Sequence, residues 1–377
     1  MGAPPILFAS HVVEWGGAES VLVDLLTELD RSRITPHFVC PGPGPLAARV
    51  AQLGIAVHNV PMGGSSPWRK AIGLPRAARG LRGLAAELAC RVVVANSMIA
   101  GYAAVLAQHR QLRCLWHLHV VTRSRIARFA LRRAAAVMTP SRAGAVAVEP
   151  GIGDSRRLRV VPNGVPDRFF AAAGTGLRER LGVPAGMPLV GIVGRLDPHK
   201  GHDVLLQAVA RLDGVPPVHV VVAGSEAFAS LQSRVRGFTD ELRERIGALG
   251  LGPRVHLIGH VDDTAPLLAQ LDVVVVPSIA LESAPRSIAE AQAAGCAVVA
   301  SAIGGVPELV ASEQSGLLVP PGDVDSLQRS LARVLGDPAL RSRLVAGGRA
   351  KADADYRMNV FAARCVDACL AVQDLAS

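Results

Sequence analysis

Short apolar runs recur along the chain, separated by longer stretches in which apolar residues return with helical spacing. The first series is ILFAS (6–10), HFVC (37–40), VVVAN (92–96), CLWHLHV (114–120), AAVMTPS (135–141) and RVVPNG (159–164). A second follows: PLVGIVG (188–194), VHVVVAG (218–224), RVHLIG (254–259), DVVVVPS (272–278), CAVVAS (296–301) and GLLV (316–319). Runs this rich in Val and nearly continuous, rather than alternating, read as strands buried on both faces. The pattern therefore predicts an α/β protein with two parallel sheets, each covered by helices. The aperiodic stretch VPDRFFAAAGTG (165–176) separates the series, so one domain is expected over 1–170 and a second over 171–357. The closing MNVFAARCVDACLAV (358–372) reads as an amphipathic helix. Ligands of open parallel sheets sit beyond the carboxyl ends of the strands, so the loops there are the first place to look for chemistry.

Composition narrows the picture. A chain of 377 residues suits two cores at about 150 residues each. Half of its residues are apolar, yet no uninterrupted run reaches the roughly 18 residues that a membrane helix needs. The start MGAPPILFASHVV has no basic leader region, which predicts a cytoplasmic protein, free or peripheral to the membrane face. The six cysteines lie in apolar segments without a zinc-ligand pattern and are expected to be core thiols. Residues 1–170 carry 21 Lys+Arg against 9 Asp+Glu, whereas the rest carries 19 against 22. With aromatics at only 3% and no nucleic-acid motif, the basic half points to an anionic membrane or acceptor and not to nucleic acid.

Two common nucleotide signatures are absent. ASHVVEWGGAES offers Gly16 and Gly17 but no G-x-G-x-x-G, which counts against a dinucleotide enzyme, and no G-x-x-x-x-G-K-[ST] excludes a P-loop. Gly16 and Gly17 open a helix whose bare N–H groups can face an anion, or they form a simple tight turn. In GIVGRLDPHKGHDVLLQAV, Arg195 and Lys200 follow a strand end, where they can clamp a diphosphate or stand solvated. DVVVVPSIALESAPRSIAEAQAAG reads as strand, loop and helix, with Pro285 in the first turn and Gly295 as the stop. Glu282 in that loop can accept from sugar hydroxyls and Glu290 can hold a ribose; alternatively they are a cap and a surface residue.

Taken together, GRLDPHKG, ESAPRSIAEAQAAG, AIGGVPELV (302–310), SGLLVPPGD (315–323), VVPNGV (160–165) and GGAE (16–19) resemble the retaining glycosyltransferases of family 4, from about residue 6 to the C-terminus. The resemblance implies the GT-B fold, two Rossmann-like domains facing across a cleft, with the final helix returning to the first domain. It matches Arg195 and Lys200 to the pair that grips the donor diphosphate, Glu290 to the ribose ligand and Glu282 to a glutamate near the transferred sugar. Arg286, Ser287 and Ile288 at the helix start, with Gly16 and Gly17, complete the implied donor set. Gly304 and Gly305 match the family's GGxPE loop, with Glu308 there structural. His119 lies where the family often has a histidine approaching the donor sugar, and His117, on the same strand face, remains an alternative. The chain departs from the family's E-x-F-G-R at Ala284-Pro285, and Pro285 has no N–H to offer a ligand.

The resemblance implies transfer of a hexose-type sugar from a UDP- or GDP-linked donor to an acceptor hydroxyl, with retention and by a front-face route, no metal or other cofactor being expected. The acceptor is expected to be a glycan, a lipid-linked species or a small molecule. Two basic segments, 68–83 and 123–133, the latter with Arg125, Arg128 and Arg132 at i, i+3, i+7, are expected either to be solvated or to dock on an anionic membrane. Other readings are a nucleotide-sugar-binding protein without turnover, and a synthase or phosphorylase of the same fold acting on small sugars.

Overall fold

A computed structural model describes residues 2–14, 16–62, 67–119, 124–226, 237–280 and 282–375. Side chains of residues 67–72 and the whole of Arg123, both within the two basic segments, lie outside the described residues. The chain divides into two compact units, Met1–Gly164 with Met358–Ser377, and Val165–Arg357.

The first unit is built on strands β1 (Pro5–Ala9), β2 (Thr35–Cys40), β3 (Ala56–Asn59), β4 (Val92–Ala95), β5 (Arg113–His117), β6 (Ala136–Thr139) and β7 (Leu158–Val160). They form one parallel sheet in the order β3-β2-β1-β4-β5-β6-β7. Because successive strand residues face opposite ways, Ile6 and Phe8 enter one core while Leu7 and Ala9 enter the other, and all four are fully buried. The helix Met358–Asp374 covers the first of these cores, packing Phe361, Cys365, Cys369 and Val372 beside Leu22 and Leu26 of the helix Gly17–Glu28.

The second unit repeats the plan with β8 (Leu189–Val193), β9 (His219–Ala223), β10 (Val255–Gly259), β11 (Val273–Val276), β12 (Ala297–Ser301) and β13 (Leu317–Val319). Their parallel order is β10-β9-β8-β11-β12-β13. Composition alone put the change of domain after residue 170, but Phe169 is buried in this unit's core and Val165 donates its N–H to the Tyr356 carbonyl at 2.7 Å, so residues 165–170 belong here. All six cysteines are free and buried, and burial pushes every thiol upward, away from the reactive thiolate. Among the described residues no helix is long and apolar enough to cross a membrane.

Candidate functional site

In the second sheet the strand order reverses between β8 and β11, so the loops leaving these two strands diverge to opposite sides and leave a crevice at their carboxyl ends. The loop after β8 carries Arg195 and Asp197, a 3₁₀ turn Pro198–Lys200, and then the helix His202–Ala210. Asp197 organises this loop. One carboxylate oxygen accepts the His199 N–H at 3.0 Å and the other accepts Arg195 Nη2 at 2.6 Å. Burial pushes the Asp197 carboxyl up, but the His199 N–H and the Arg195 charge outweigh it and leave the group below its ordinary value. Gly201 has φ of +73° and its missing Cβ would stand 1.9 Å from the Pro277 carbonyl oxygen, so only glycine lets this loop lie against the one after β11.

The two loops meet at a carboxylate. Lys200 Nζ donates to Glu282 Oε1 at 2.5 Å, and the buried Ser278 hydroxyl donates to the same oxygen at 2.8 Å. Gly194, Arg195, Lys200, His202, Ser278 and Ser287 together line a small cavity. Burial pushes the His202 ring down to about 4 against the opposing pull of the Asp197 carbonyl, so the ring is neutral near pH 7 and adds no third cation.

The helix expected after Glu282 spans Arg286–Ala294 and ends on Gly295 at φ +87°. Pro285 stands just before the first turn, as the N-cap with φ of −66° and ψ of 117°, where its lack of an N–H costs no intrahelical bond. Arg286 pairs with Glu290 one turn on, Nη2 to Oε1 at 3.0 Å, and both side chains are mostly buried. Ile288 is fully buried in the core and its N–H donates to the Pro285 carbonyl, so it packs the helix and presents nothing of its side chain to a ligand. Gly304, at φ +57°, touches the Glu282 backbone so closely that a Cβ would lie 1.9 Å from its carbonyl oxygen, which also accepts the Gly305 N–H at 3.0 Å. The paired glycines thus hold Glu282 in place from behind. Glu308 contributes its carbonyl to the Tyr356 hydroxyl. Ser283, buried beside Glu282, has a hydroxyl with no hydrogen-bond partner among the described residues.

The first sheet reverses between β1 and β4, and here the polar residues are histidines, a serine and an amide. His11, after β1, meets Ser97, after β4, Nδ1 to Oγ at 2.8 Å. Asn96 donates its amide to the Ala18 carbonyl at 2.9 Å, which turns its oxygen toward His119 Nε2, also at 2.9 Å. An amide oxygen accepts only, so His119 Nε2 carries the proton between them. His117 is a different residue in kind. It is fully buried, 4.0 Å from His119 and 6.0 Å from Phe361 between ring centroids, with neither nitrogen hydrogen-bonded among the described residues and its pKa driven well down by burial and then by His119. Gly16 caps the helix Gly17–Glu28 with extended backbone, and Glu19 in that helix's first turn is buried and pushed upward by desolvation, opposed by its own backbone N–H and the Ser10 hydroxyl.

Sequence reasoning missed Asn96, Asp197, Ser278 and Glu19. Asp197 and Glu19 lie inside quoted motifs, but nothing in their spacing distinguishes them from loop polar residues. Among the described residues no group of three or more His, Cys, Asp or Glu is gathered to hold a metal ion.

Residues 175–351 match the model for glycosyl transferases group 1, and residues 15–169 match that for glycosyltransferase family 4. The chain belongs to the GT-B glycosyltransferases of group 1 and family 4. Among curated members, this chain is 32% identical over 265 residues to the 2-deoxystreptamine glucosyltransferase of Streptomyces kanamyceticus, covering 68% of this chain and 65% of that one. It is 38% identical over 206 residues to the D-inositol 3-phosphate glycosyltransferase of Xylanimonas cellulosilytica, covering 52% and 47%. The chain thus spans about half to two thirds of the length of these curated relatives. Among solved structures of the fold, Anabaena Alr3699/HepE in complex with UDP superposes with a TM-score of 0.82 at 25% identity, covering 96% of this chain and 98% of that one. A glycosyltransferase from Rickettsia africae superposes at 0.85 over 99% of both chains with 19% identity, a likeness of fold. In this family-4 chain the quoted motifs lie at strand ends of both sheets, where the fold puts ligand-facing loops.

Proposed function

We propose that the chain is a retaining glycosyltransferase that moves a hexose-type sugar from a nucleotide-diphosphate donor to an acceptor hydroxyl. The observation that carries this reading is the convergence of Arg195 and Lys200 on one small cavity at the switch point of the second sheet, with Glu290 and Ser287 on the neighbouring helix. A departing nucleoside diphosphate develops negative charge on its phosphates, and preorganised cations there lower the barrier without reorganising during the reaction. That duty is assigned to Arg195 and Lys200, with no metal. Glu290 is the ribose acceptor in this reading, released from Arg286 by the hydroxyls, while Glu282 faces the transferred sugar once Lys200 turns to phosphate. His119, oriented by Asn96, and the Gly16–Gly17 backbone belong to the sugar and acceptor side.

A uridine donor is favoured over guanosine because Anabaena Alr3699/HepE, the neighbour at 25% identity, was solved with UDP and with UDP-glucose. The acceptors named for the curated relatives are hydroxyl-rich, an aminocyclitol and an inositol phosphate, which supports a hydroxylated small molecule or glycoconjugate. Retention proceeds by a front-face route in this proposal, since no carboxylate in the described site is assigned as a nucleophile.

The test is a thermal-shift panel with UDP, GDP, ADP and TDP on wild type and Glu290→Gln. A ligand at about 100 times its Kd adds roughly 2.7 kcal/mol of stability, which is readily seen. A shift with one nucleotide, diminished in the variant, supports the reading; no shift with any of the four overturns it.

A further inference from the structure

The helix Arg125–Leu131 in the first unit is amphipathic in an inverted sense. Its inward face is built of Ala127, Ala130 and Leu131, all buried, whereas Ile126 and Phe129 point outward at 71% and 60% exposure. Around them Arg125, Arg128, Arg132 and Arg133 are all exposed. The Arg133 guanidinium stacks on the Phe129 ring at 3.7 Å, so the apolar surface carries a cation of its own. Solitary exposed apolar residues are ordinary, but two of them adjacent on one helix face and ringed by arginines are not.

The chain around this helix is poor in opposing charge. From residue 31 to residue 148 there are 17 Lys+Arg and one acidic residue, Glu87, and the exposed Glu149 follows on the helix Arg142–Ile152 packed beside it. The arginines around Ile126 and Phe129 repel cations and attract a polyanion, and the aliphatic Ile126 narrows the polyanion further. Nucleic-acid surfaces stack bases on aromatics, and here an isoleucine holds half of the outward apolar position. A lipid bilayer with anionic headgroups accepts both parts, apolar side chains entering the headgroup boundary while long arginines reach the phosphates.

We propose that the helix Arg125–Leu131 docks this protein on an anionic membrane surface through Ile126 and Phe129, with Arg125, Arg128, Arg132 and Arg133 at the headgroups. This goes beyond the transferase reading and does not rest on it, because docking needs neither donor nor acceptor.

Co-sedimentation with phosphatidylcholine vesicles, with and without phosphatidylglycerol, tests it. Wild type is expected to pellet with the anionic vesicles, to stay in solution with phosphatidylcholine alone, and to be released by high salt. Ile126→Ser with Phe129→Ser should weaken vesicle binding at least about tenfold. Replacing Arg125 and Arg128 by Gln should weaken it about fivefold per arginine, while the same change at the exposed Arg329 and Arg343 of the second unit should do nothing. All replaced side chains are exposed, so unchanged melting temperatures are expected and rule out misfolding. Failure of wild type to pellet with anionic vesicles overturns the proposal, as does undiminished pelleting of the Ile126/Phe129 variant. Binding of a single-stranded oligonucleotide that depends on these arginines, with no vesicle binding, would overturn it in favour of nucleic acid.

Discussion

The two sheets place their switch points alike but furnish them differently. At the first, His11 meets Ser97 and Asn96 links His119 to the Ala18 carbonyl, contacts made without a carboxylate, while the buried Glu19 is pushed toward its protonated form. At the second, each cation is held by a carboxylate of the same chain: Arg195 by Asp197, Lys200 by Glu282 and Arg286 by Glu290. Topology thus fixes where a ligand lies, and side chains fix what kind. The first arrangement orients imidazoles. The second holds partly exposed cations against carboxylates of the same chain, so an anion entering it must take over from a carboxylate.

The strongest way to break that contrast is to remove the cation at its centre. Lys200→Ala should lower the affinity for UDP, or turnover of a UDP-sugar, by a hundred- to a thousandfold, about 3–4 kcal/mol, while barely changing the affinity for uridine. Calorimetric titration with the two ligands reads the difference directly. Equal losses for UDP and uridine would mean that Lys200 does not meet phosphate, and the second switch point would lose its distinction from the first.

Acid should act on both regions next, and in the second the responsible group can be named. His202 is held neutral down to about pH 4 whereas an unfolded histidine titrates near 6.5. Between those values the unfolded chain binds more protons, so stability is intact above pH 6.5 and declines as pH falls toward 4, by up to about 3 kcal/mol from this group. His117, also driven down by burial, works in the same direction from the first unit. Urea unfolding of His202→Phe should show a shallower acid decline than wild type, and an unchanged decline would reject the assignment.

Much of this was legible because it rests on strands buried on both faces. Twelve of the strands follow from short, nearly continuous apolar runs, the clearest being VVVV at 273–276. The strand Ala56–Asn59 was not, since its residues are exposed or half-buried and so carry no apolar run; it forms only because the Cys40 segment offers a free ladder edge. The charged pair Arg195 and Lys200 announced itself by type and position. Asn96 did not, because an amide at a strand end gains its meaning from Ala18 and His119, residues distant in sequence that the sheet brings together. Asp197 was hidden for the opposite reason: its partners are local, two residues to either side, and such an arrangement looks like any capped turn.

Sharpening the first region requires Asn96. Asn96→Ala removes a fully buried amide that bridges the Ala18 carbonyl and His119, leaving both to find other partners, a cost of about 1–3 kcal/mol. Melting temperature should fall, and any His119-dependent turnover should fall about tenfold with little change in UDP affinity. Loss of UDP affinity to the same degree would mean that the first network reaches the phosphates.

The smallest effect should come from Asp197→Asn, and its size decides whether the pairs of the second region are scaffold or ligand site. The amide oxygen can still accept the His199 N–H, so the turn Pro198–Lys200 keeps its cap, while the charge that holds Arg195 is lost. Arg195 is 41% exposed and its partner 6%, so solvent screens much of the pair and the direct loss is about 1 kcal/mol or less. Removing the carboxylate also leaves Arg195 less neutralised and so more available to an anion, which opposes the loss of orientation. UDP affinity should therefore move by no more than about fivefold in either direction. Titration of Asp197→Asn beside Lys200→Ala separates the cases: a small change keeps Asp197 as a positioning residue behind Arg195. A loss as deep as that of Lys200→Ala would make the carboxylate part of the ligand site itself, and the stored-cation account of the second switch point would fail.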